Sequence, residues 1–390
     1  MATRGIAIVR TVILIQILSP AQFGIFGIAS LAITFLEIFM ETGVNVVLIQ
    51  KKRGIEDYLN TAWVVSILRG FVISLLLILA APAVSLFFSS PDVKTMIYLI
   101  SLVSFIRGFI NPAIVGFQKN LLFGREFWFR FGVFLVDSAV AILVSFLTKS
   151  AVGLVWGLVA GALAELVLSF VFVKPRPRLE FDQGRLREVL SKGKWVTGAG
   201  IFQFLFRQGD DAVVGKVLGV SQLGVYQVAY KISSLPISEV TDVVNRVVFP
   251  VYARIAKDRV RLKRAFLKTT TTVGAIAFGL GAVLFIFGEQ VVTILLGDAW
   301  RQVIPLIKIL SVFGVVQAVV NSVNSLFLAL EKQAYVTLVT FVSTIGLVLS
   351  IIPLIAAFGL VGAGLAPLLG AVLAVPVVVF LTWREFSRSD

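Results

Sequence analysis

The sequence predicts an all-α polytopic membrane protein. It has about twelve transmembrane helices in two homologous six-helix lobes, related by a pseudo-two-fold axis along the membrane normal. Three observations predict it. Hydrophobic residues make up 58% of the 390 and charged residues only 14%, against about 45–50% and 25% in ordinary soluble domains. Too little polar surface remains to cover a soluble core, and apolar runs of about 20 residues make the spans helices rather than barrel strands. The chain also repeats itself at an offset of about 200 residues, too long a period for a solenoid. Leu18, Gln22, Gly24, Ala29, Val44, Asn45 and Val47 recur as Leu218, Gln222, Gly224, Ala229, Val244, Asn245 and Val247, and Ile25-Phe26 answers Val225-Tyr226. The third observation is a one-sided distribution of Lys and Arg among the loops.

In order, the first span is expected at 5–18 and carries Arg10. Residues Met1 to Leu18 lack a small-residue cleavage site and run straight into the next span, so no secretory signal is expected. The second, 23–50, places Ser30, Thr34, Glu37, Glu41 and Asn45 three or four residues apart on one face. The third, 60–87, carries Arg69, the fourth, 96–118, carries Arg107, and the fifth, 127–147, carries Asp137. The sixth, 151–173, contains Glu165 and the small residues Gly153, Gly157 and Gly161, a spacing that lets helices approach closely.

A polar stretch from Lys174-Pro-Arg-Pro-Arg178 to Lys194 follows. It divides a lobe over 1–173 from one over 195–390, with 174–194 as a basic cytoplasmic linker in which 184–192 could lie on the membrane surface. The seventh span, 195–217, groups Gln203, Arg207, Asp210 and Asp211 on one face, and ends near Lys216, expected to snorkel to the interface. The eighth, 223–250, repeats the stripe of the second as Gln227, Lys231, Ser234, Ser238, Asp242 and Asn245, with Glu239 beside it and Pro236 as a possible kink. The ninth to twelfth are expected at 267–290, 303–328, 333–356 and 359–382. In the twelfth, Gly359, Gly362, Gly364 and Gly370 answer the glycines of the sixth.

Orientation follows from the loops. One side carries Arg4, Lys51-Lys52-Arg53, Lys119, Arg125, Arg130, the 174–194 run, Arg254 to Lys268, Lys332, Arg384 and Arg388. The other carries only Lys94, Lys149, Arg301 and Lys308. The first side, with both termini, is cytoplasmic by the positive-inside rule. The net charge of +14 is thereby explained without a nucleic-acid partner.

A two-lobe repeat in so apolar a chain points to a transporter, and continuous polar stripes on three helices imply a hydrated cavity between the lobes. An ionisable group deep in a span costs at least about 2.5–3.5 kcal/mol on insertion scales, so it needs a cavity or a partner. Arg207 with Asp211, and Asp242 with Arg246, are spaced to neutralise one another. Glu41 has no obvious local partner. Arg69 and Arg107 have no acid three or four residues away, so each requires a partner on another helix or a ligand. Basic and acidic groups are nearly balanced, so the list alone does not make the cavity cationic.

With no Cys and no His, disulfides, thiolate or imidazole metal ligands and imidazole proton relays are excluded. Proton chemistry falls to carboxylates. No phosphate-cradling Gly-Lys-Ser/Thr loop is present, which argues against an ATP-driven pump. The short external loops, such as 88–95 and 291–302, argue against a membrane glycan polymerase or ligase. No cofactor or metal is expected.

At Ile17-Leu-Ser-Pro-Ala-Gln-Phe-Gly24 and Glu41-Thr-Gly-Val-Asn-Val-Val-Leu-Ile-Gln50 the chain resembles the oligosaccharide (polysaccharide repeat-unit) flippases of the multidrug/oligosaccharidyl-lipid/polysaccharide exporter superfamily. Asp210-Asp-Ala-Val-Val-Gly-Lys-Val-Leu-Gly219 and Gly224-Val-Tyr-Gln-Val-Ala-Tyr230 are similar to that family's second-lobe motifs. Gln16 departs from it, standing where the family often has Arg, and the first span is short. The resemblance implies translocation of lipid-linked oligosaccharide on a polyprenyl-pyrophosphate carrier across the cytoplasmic membrane. The mechanism would be alternating access, coupled to H+ or Na+ antiport. It implies anionic head-group contacts for Arg10, Arg69, Arg107, Arg207 and Lys231, and ion coupling by Asp137, Asp210, Asp211 or Glu239. Glu37, Glu41, Asn45, Gln203, Gln227 and Asn245 would line the cavity. Expected partners are the lipid-linked oligosaccharide, membrane lipids and a polysaccharide polymerase or glycosyltransferases, with the flippase itself a monomer. The alternative is a drug or organic-cation antiporter of the same superfamily, using a cavity dominated by carboxylates and aromatics.

Overall fold

The structure, a computed structural model, describes residues 2–40, 56–180, 182, 184, 204 and 208–387. Every regular element among them is helical: α1 (Ala2–Ile17), α2 (Pro20–Phe39), α3 (Glu56–Phe87), α4 (Pro91–Gly108), α5 (Gly116–Lys119), α6 (Phe123–Thr148), α7 (Val152–Phe172), α8 (Val220–Ile255), α9 (Arg259–Leu295), α10 (Val303–Ala329) and α11 (Gln333–Ser387). Residues 208–217 are helical as well. Seven of the described helices are long and apolar enough to cross a membrane, or eight if a bent pair counts as one span. In α6 only 17% of the most apolar window is buried inside the protein, and Leu143, Phe146 and Leu147 are exposed. Apolar surface left open on this scale requires lipid as its solvent.

The residues form two compact units, Met1–Ser221 and Gln222–Asp390. In the first, α3 pairs with α4 and α6 with α7. Glycine makes the second pairing close: a Cβ on Gly157 would sit 2.6 Å from the Ala141 Cβ and 2.7 Å from the Asp137 carbonyl oxygen. The Ser19-Pro20 turn between α1 and α2 is a capping box. The Ser19 Oγ accepts from the Gln22 N–H, the Gln22 Oε1 accepts from the Ser19 N–H, and Pro20 takes the first helical turn, where no N–H is needed. The expected linker 174–194 is described only at its start. There it folds onto α3, the Arg178 N–H donating to Asn60 Oδ1 at 2.8 Å and Asn60 Nδ2 donating to Glu180 Oε2 at 2.7 Å.

In the second unit α9, α10 and α11 pack in sequence. A core of Tyr252, Leu262, Phe266, Leu326, Phe327, Val378 and Leu381 ties the ends of α8, α9, α10 and α11 together. The Tyr335 hydroxyl donates to the buried Glu385 carboxylate at 3.0 Å. The 55-residue α11 breaks at Gly359, whose φ of 56° and ψ of −130° are non-helical. The break falls at the boundary expected between the last two spans.

Three expectations need adjusting. The helix of the second span, expected over 23–50, ends at Phe39, where Met40 caps it, and 41–50 lie outside the described residues. The fourth span is not one helix over 96–118: α4 ends at Gly108, and the segment Pro112–Lys119 turns away by 73°. Pro112 lacks a donor and pushes the preceding residue out of the α region, and Asn111 has φ −65° and ψ 114°. The ninth is longer than 267–290. Asp258 caps α9 through the Arg261 N–H, so the basic run from Arg259 is helical before the apolar stretch begins.

Candidate functional site

The first unit contains a cavity of about 510 Å³ built around the broken α4. α2 contributes Glu37; α3 contributes Ser66, Arg69, Gly70 and Ile73; the break region contributes Ser104 to Asn111 and on to Gln118. Arg130 of α6 and Glu165 of α7 complete the wall.

The break is stable because its backbone groups are satisfied. Trp63 Nε1 donates to the Phe109 carbonyl at 2.9 Å. Asn111, fully buried, receives the Ala113 N–H on its Oδ1 at 3.0 Å. It gives its own N–H to Ser169 Oγ at 3.1 Å and its Nδ2 to the Pro175 carbonyl at 3.1 Å. This one residue, through its backbone N–H and its side chain, therefore pins the turned segment to α7 and to the start of the linker. Above the break, α3 and α4 cross with almost no side chain between them: a Cβ on Gly70 would lie 2.6 Å from the Ser104 carbonyl oxygen and 2.8 Å from the Gly108 Cα.

That crossing brings two arginines to Glu37. Arg69 Nη2 donates to the Glu37 carbonyl oxygen at 2.6 Å, and Arg107 Nη1 pairs with Glu37 Oε1 at 3.2 Å. The Arg107 and Glu37 side chains are 42% and 31% exposed, so the pair is open to the cavity. Arg130, at the far wall, is held by Glu126 at 2.8 Å, and Gln118 donates to the same carboxylate oxygen at 2.9 Å. The Ser104 hydroxyl is buried in the wall with no hydrogen-bond partner among the described residues.

Arg10 sits elsewhere in the unit. Its guanidinium grips Asp137 with both ends, Nη1 to Oδ2 at 2.7 Å and Nη2 to Oδ1 at 3.0 Å, and lies 5.8 Å from the centre of the Phe134 ring. These side chains are 17% and 14% exposed, a more enclosed pair than Arg107–Glu37. The residues named from sequence therefore separate into an open cluster (Glu37, Arg69, Arg107) and a closed one (Arg10, Asp137).

The others are dispersed. Asp210 is buried and accepts the Asp211 N–H on its Oδ1 at 3.0 Å. Lys216 is exposed and caps α3, its Nζ donating to the Phe87 carbonyl at 2.7 Å above the Phe87 ring. Gln227 is half-buried and Lys231 exposed on α8, which runs helically through Pro236. Glu41, Asn45, Gln203 and Arg207 lie outside the described residues, as do the side chains of Glu239 and Asn245. Among the described residues no group of three carboxylates is placed to hold a metal ion.

Sequence reasoning missed Arg130, Gln118, Ser104 and Asn111. Arg130 had been counted as a loop charge that sets orientation. Asn111 carried a signal, an Asn-Pro dipeptide inside an apolar run.

The described residues thus form a multi-span helical fold with an arginine-lined cavity at a broken helix. The fold is shared with a lipid II flippase, MurJ, in an inward closed conformation (TM-score 0.72, 13% identity, 96% of this chain and 85% of that one). It is shared equally with an inward-facing multidrug-resistance MATE transporter of the MOP superfamily (TM-score 0.74, 16% identity, 97% and 93%). Residues 13–305 match the model of the polysaccharide biosynthesis protein family, and the chain belongs to that family. The lipopolysaccharide biosynthesis protein WzxC of Escherichia coli K12 is 24% identical over 327 residues, 83% of this chain and 66% of that protein. The chain spans about two-thirds of the length of the curated relatives it matches.

Proposed function

We propose that the protein is a flippase that moves a polysaccharide repeat unit, linked to a polyprenyl-pyrophosphate carrier, across the cytoplasmic membrane. The observation that carries this reading is the pair Arg69 and Arg107, set by a glycine crossing into the wall of a 510 Å³ cavity, in a chain of the polysaccharide biosynthesis family. Guanidinium forks match phosphate oxygens in charge and geometry, and a cavity of this size is in the range of small-ligand sites. The pyrophosphate head would enter it while the carrier tail stays in lipid. Arg207 and Lys231 are proposed to meet the anionic substrate at other stages of the cycle. Arg10, gripped by Asp137, would meet the anionic head group only after that pair opens: loading Asp137 with H+, or drawing it to Na+, would release Arg10 for it. Asp210, Asp211 and Glu239 are the further coupling candidates.

The same reading includes twelve spans in two lobes, alternating access, cytoplasmic termini and a monomer. It gives the protein no chemical step of its own. Polymerase and glycosyltransferases are proposed to act on either side of the transport step.

Deletion of the gene, with complementation by wild type, Arg69→Ala or Arg107→Ala, tests the reading. Surface polysaccharide should vanish while lipid-linked units accumulate in the inner leaflet. Wild type should restore export, and each alanine variant, expressed at normal level, should not. Full export by both variants removes the proposed site. The MATE-like fold favours one competitor, a drug or organic-cation antiporter. Unchanged glycan with accumulation of toxic cations in the deletion strain would select it.

A further inference from the structure

The cavity that should welcome an anion already contains two carboxylates: Glu165 in the α7 wall, and Glu37 against the arginines. Glu37 Oε1 holds Arg107 at 3.2 Å, and the Glu37 carbonyl holds Arg69 at 2.6 Å. An incoming anion therefore competes with a carboxylate for Arg107 and gains the full guanidinium fork only by displacing it. Exchanging one single negative charge for another gains almost nothing electrostatically, whereas a group with two or more charges gains the difference. The exchange is feasible because the pair is open to the cavity, with 42% and 31% of its side chains exposed. The site has a further donor in waiting, since Ser104 Oγ is buried in the same wall with no partner among the described residues.

This matters because of what else is present. A cavity bearing arginines in a membrane protein is bathed in phospholipids whose phosphodiester head groups carry one negative charge. Bare guanidinium groups would bind them.

We propose that Glu37 is a built-in counter-anion that sets a valence threshold. It keeps Arg107 from the monoanionic phosphodiesters of bulk phospholipid and yields it to the multiply charged pyrophosphate of the carrier lipid. Glu37 is thus a specificity-determining residue that discriminates against the membrane itself, by repulsion rather than by contact with the substrate. The inference rests on the reading of the protein as a carrier of pyrophosphate-linked lipid.

Purified full-length wild type and Glu37→Gln are titrated, in zwitterionic or neutral detergent, with a polyprenyl pyrophosphate and separately with phosphatidylglycerol. Binding is read by native mass spectrometry. Wild type should prefer the pyrophosphate lipid, and E37Q should gain about tenfold in phosphatidylglycerol affinity with a smaller change for pyrophosphate, so that the preference shrinks. Glu37→Asp, which keeps the charge, should keep the preference. If the glutamine variant is not monodisperse, Glu37→Ser removes the same charge and must give the same result. Pyrophosphate binding by wild type with an unchanged ratio in the neutral variants overturns the valence threshold alone. No pyrophosphate-lipid binding by any form overturns the flippase reading and the threshold together.

Discussion

At the scale of single residues, two arginine–carboxylate pairs of like composition do different things because they differ in enclosure. Arg10–Asp137 has two short contacts and about a sixth of each side chain exposed, so removing one partner strands the other in a poorly solvated place. Asp137→Ala should lower stability by about 2–3 kcal/mol, somewhat less than the 3–5 typical of a fully buried pair. Arg10→Leu with Asp137→Leu should recover most of that loss, because two apolar groups leave no orphan charge. Thermal unfolding of the purified variants checks both, and a double variant no more stable than the single one would show that the pair does not act as a unit. Arg107–Glu37 is looser, and Arg107→Ala should leave unfolding within about 1 kcal/mol of wild type, as for exposed pairs, while abolishing export. The sequence showed that Arg69 and Arg107 needed partners from another helix, since none lay a turn away. It could not show that both would find the same glutamate, because such pairing is set by how α2, α3 and α4 cross. The open Arg107–Glu37 contact makes Glu37, a residue read from sequence as cavity lining, the carboxylate that competes for Arg107.

At the scale of elements, most of what the sequence made visible was periodic: long apolar runs, polar stripes and glycines at helical spacing. The glycines at Gly157 and Gly370 do lie where helical segments pack closely, a Cβ on either encountering backbone atoms, whereas Gly362 sits against Leu354 at the Gly359 break itself. The break at Gly359 coincides with the boundary drawn from hydropathy alone. What stayed hidden was the break of α4, because hydropathy continues through it while the backbone turns by 73°. Its cause is local, in Pro112, but its stability is tertiary, in Asn111, Trp63 and Ser169. Asn111→Ala would remove the acceptor of the Ala113 N–H and the donor to Pro175, stranding buried backbone groups at about 1–3 kcal/mol in total. The expected outcome is a lower unfolding temperature together with weakened substrate binding, since Arg107 sits one turn before the break. Asn111→Ser, whose hydroxyl can still accept the Ala113 N–H but cannot reach the Pro175 carbonyl, should fall between. If Asn111→Ala binds and unfolds like wild type, the elbow is held by other contacts.

At the scale of the whole molecule, the orientation expected from loop charge is testable at one helix. α9 has 37 residues, about 55 Å at 1.5 Å each, well beyond a hydrocarbon core of about 30 Å. Laid across the membrane, the helix would place its two ends on opposite sides. The leading end carries Arg259, Arg261, Lys263, Arg264 and Lys268, whereas past the trailing end Arg301 is paired with Asp298 at 3.0 Å. The positive-inside rule assigns the first end to the cytoplasm. Exposed Lys257 and Asp298 flank the helix, and the chain contains no Cys, so a single introduced thiol is labelled without background. In intact cells, or in spheroplasts where an outer membrane intervenes, a membrane-impermeant maleimide should modify Asp298→Cys and spare Lys257→Cys until the membrane is permeabilised. The reverse pattern would invert the topology and place the basic segments outside. Labelling of both positions in intact cells would mean that α9 does not span, which would undo the length argument as well. The expected pattern would put the basic end of α9 on the cytoplasmic side, from which the proposed flippase would load.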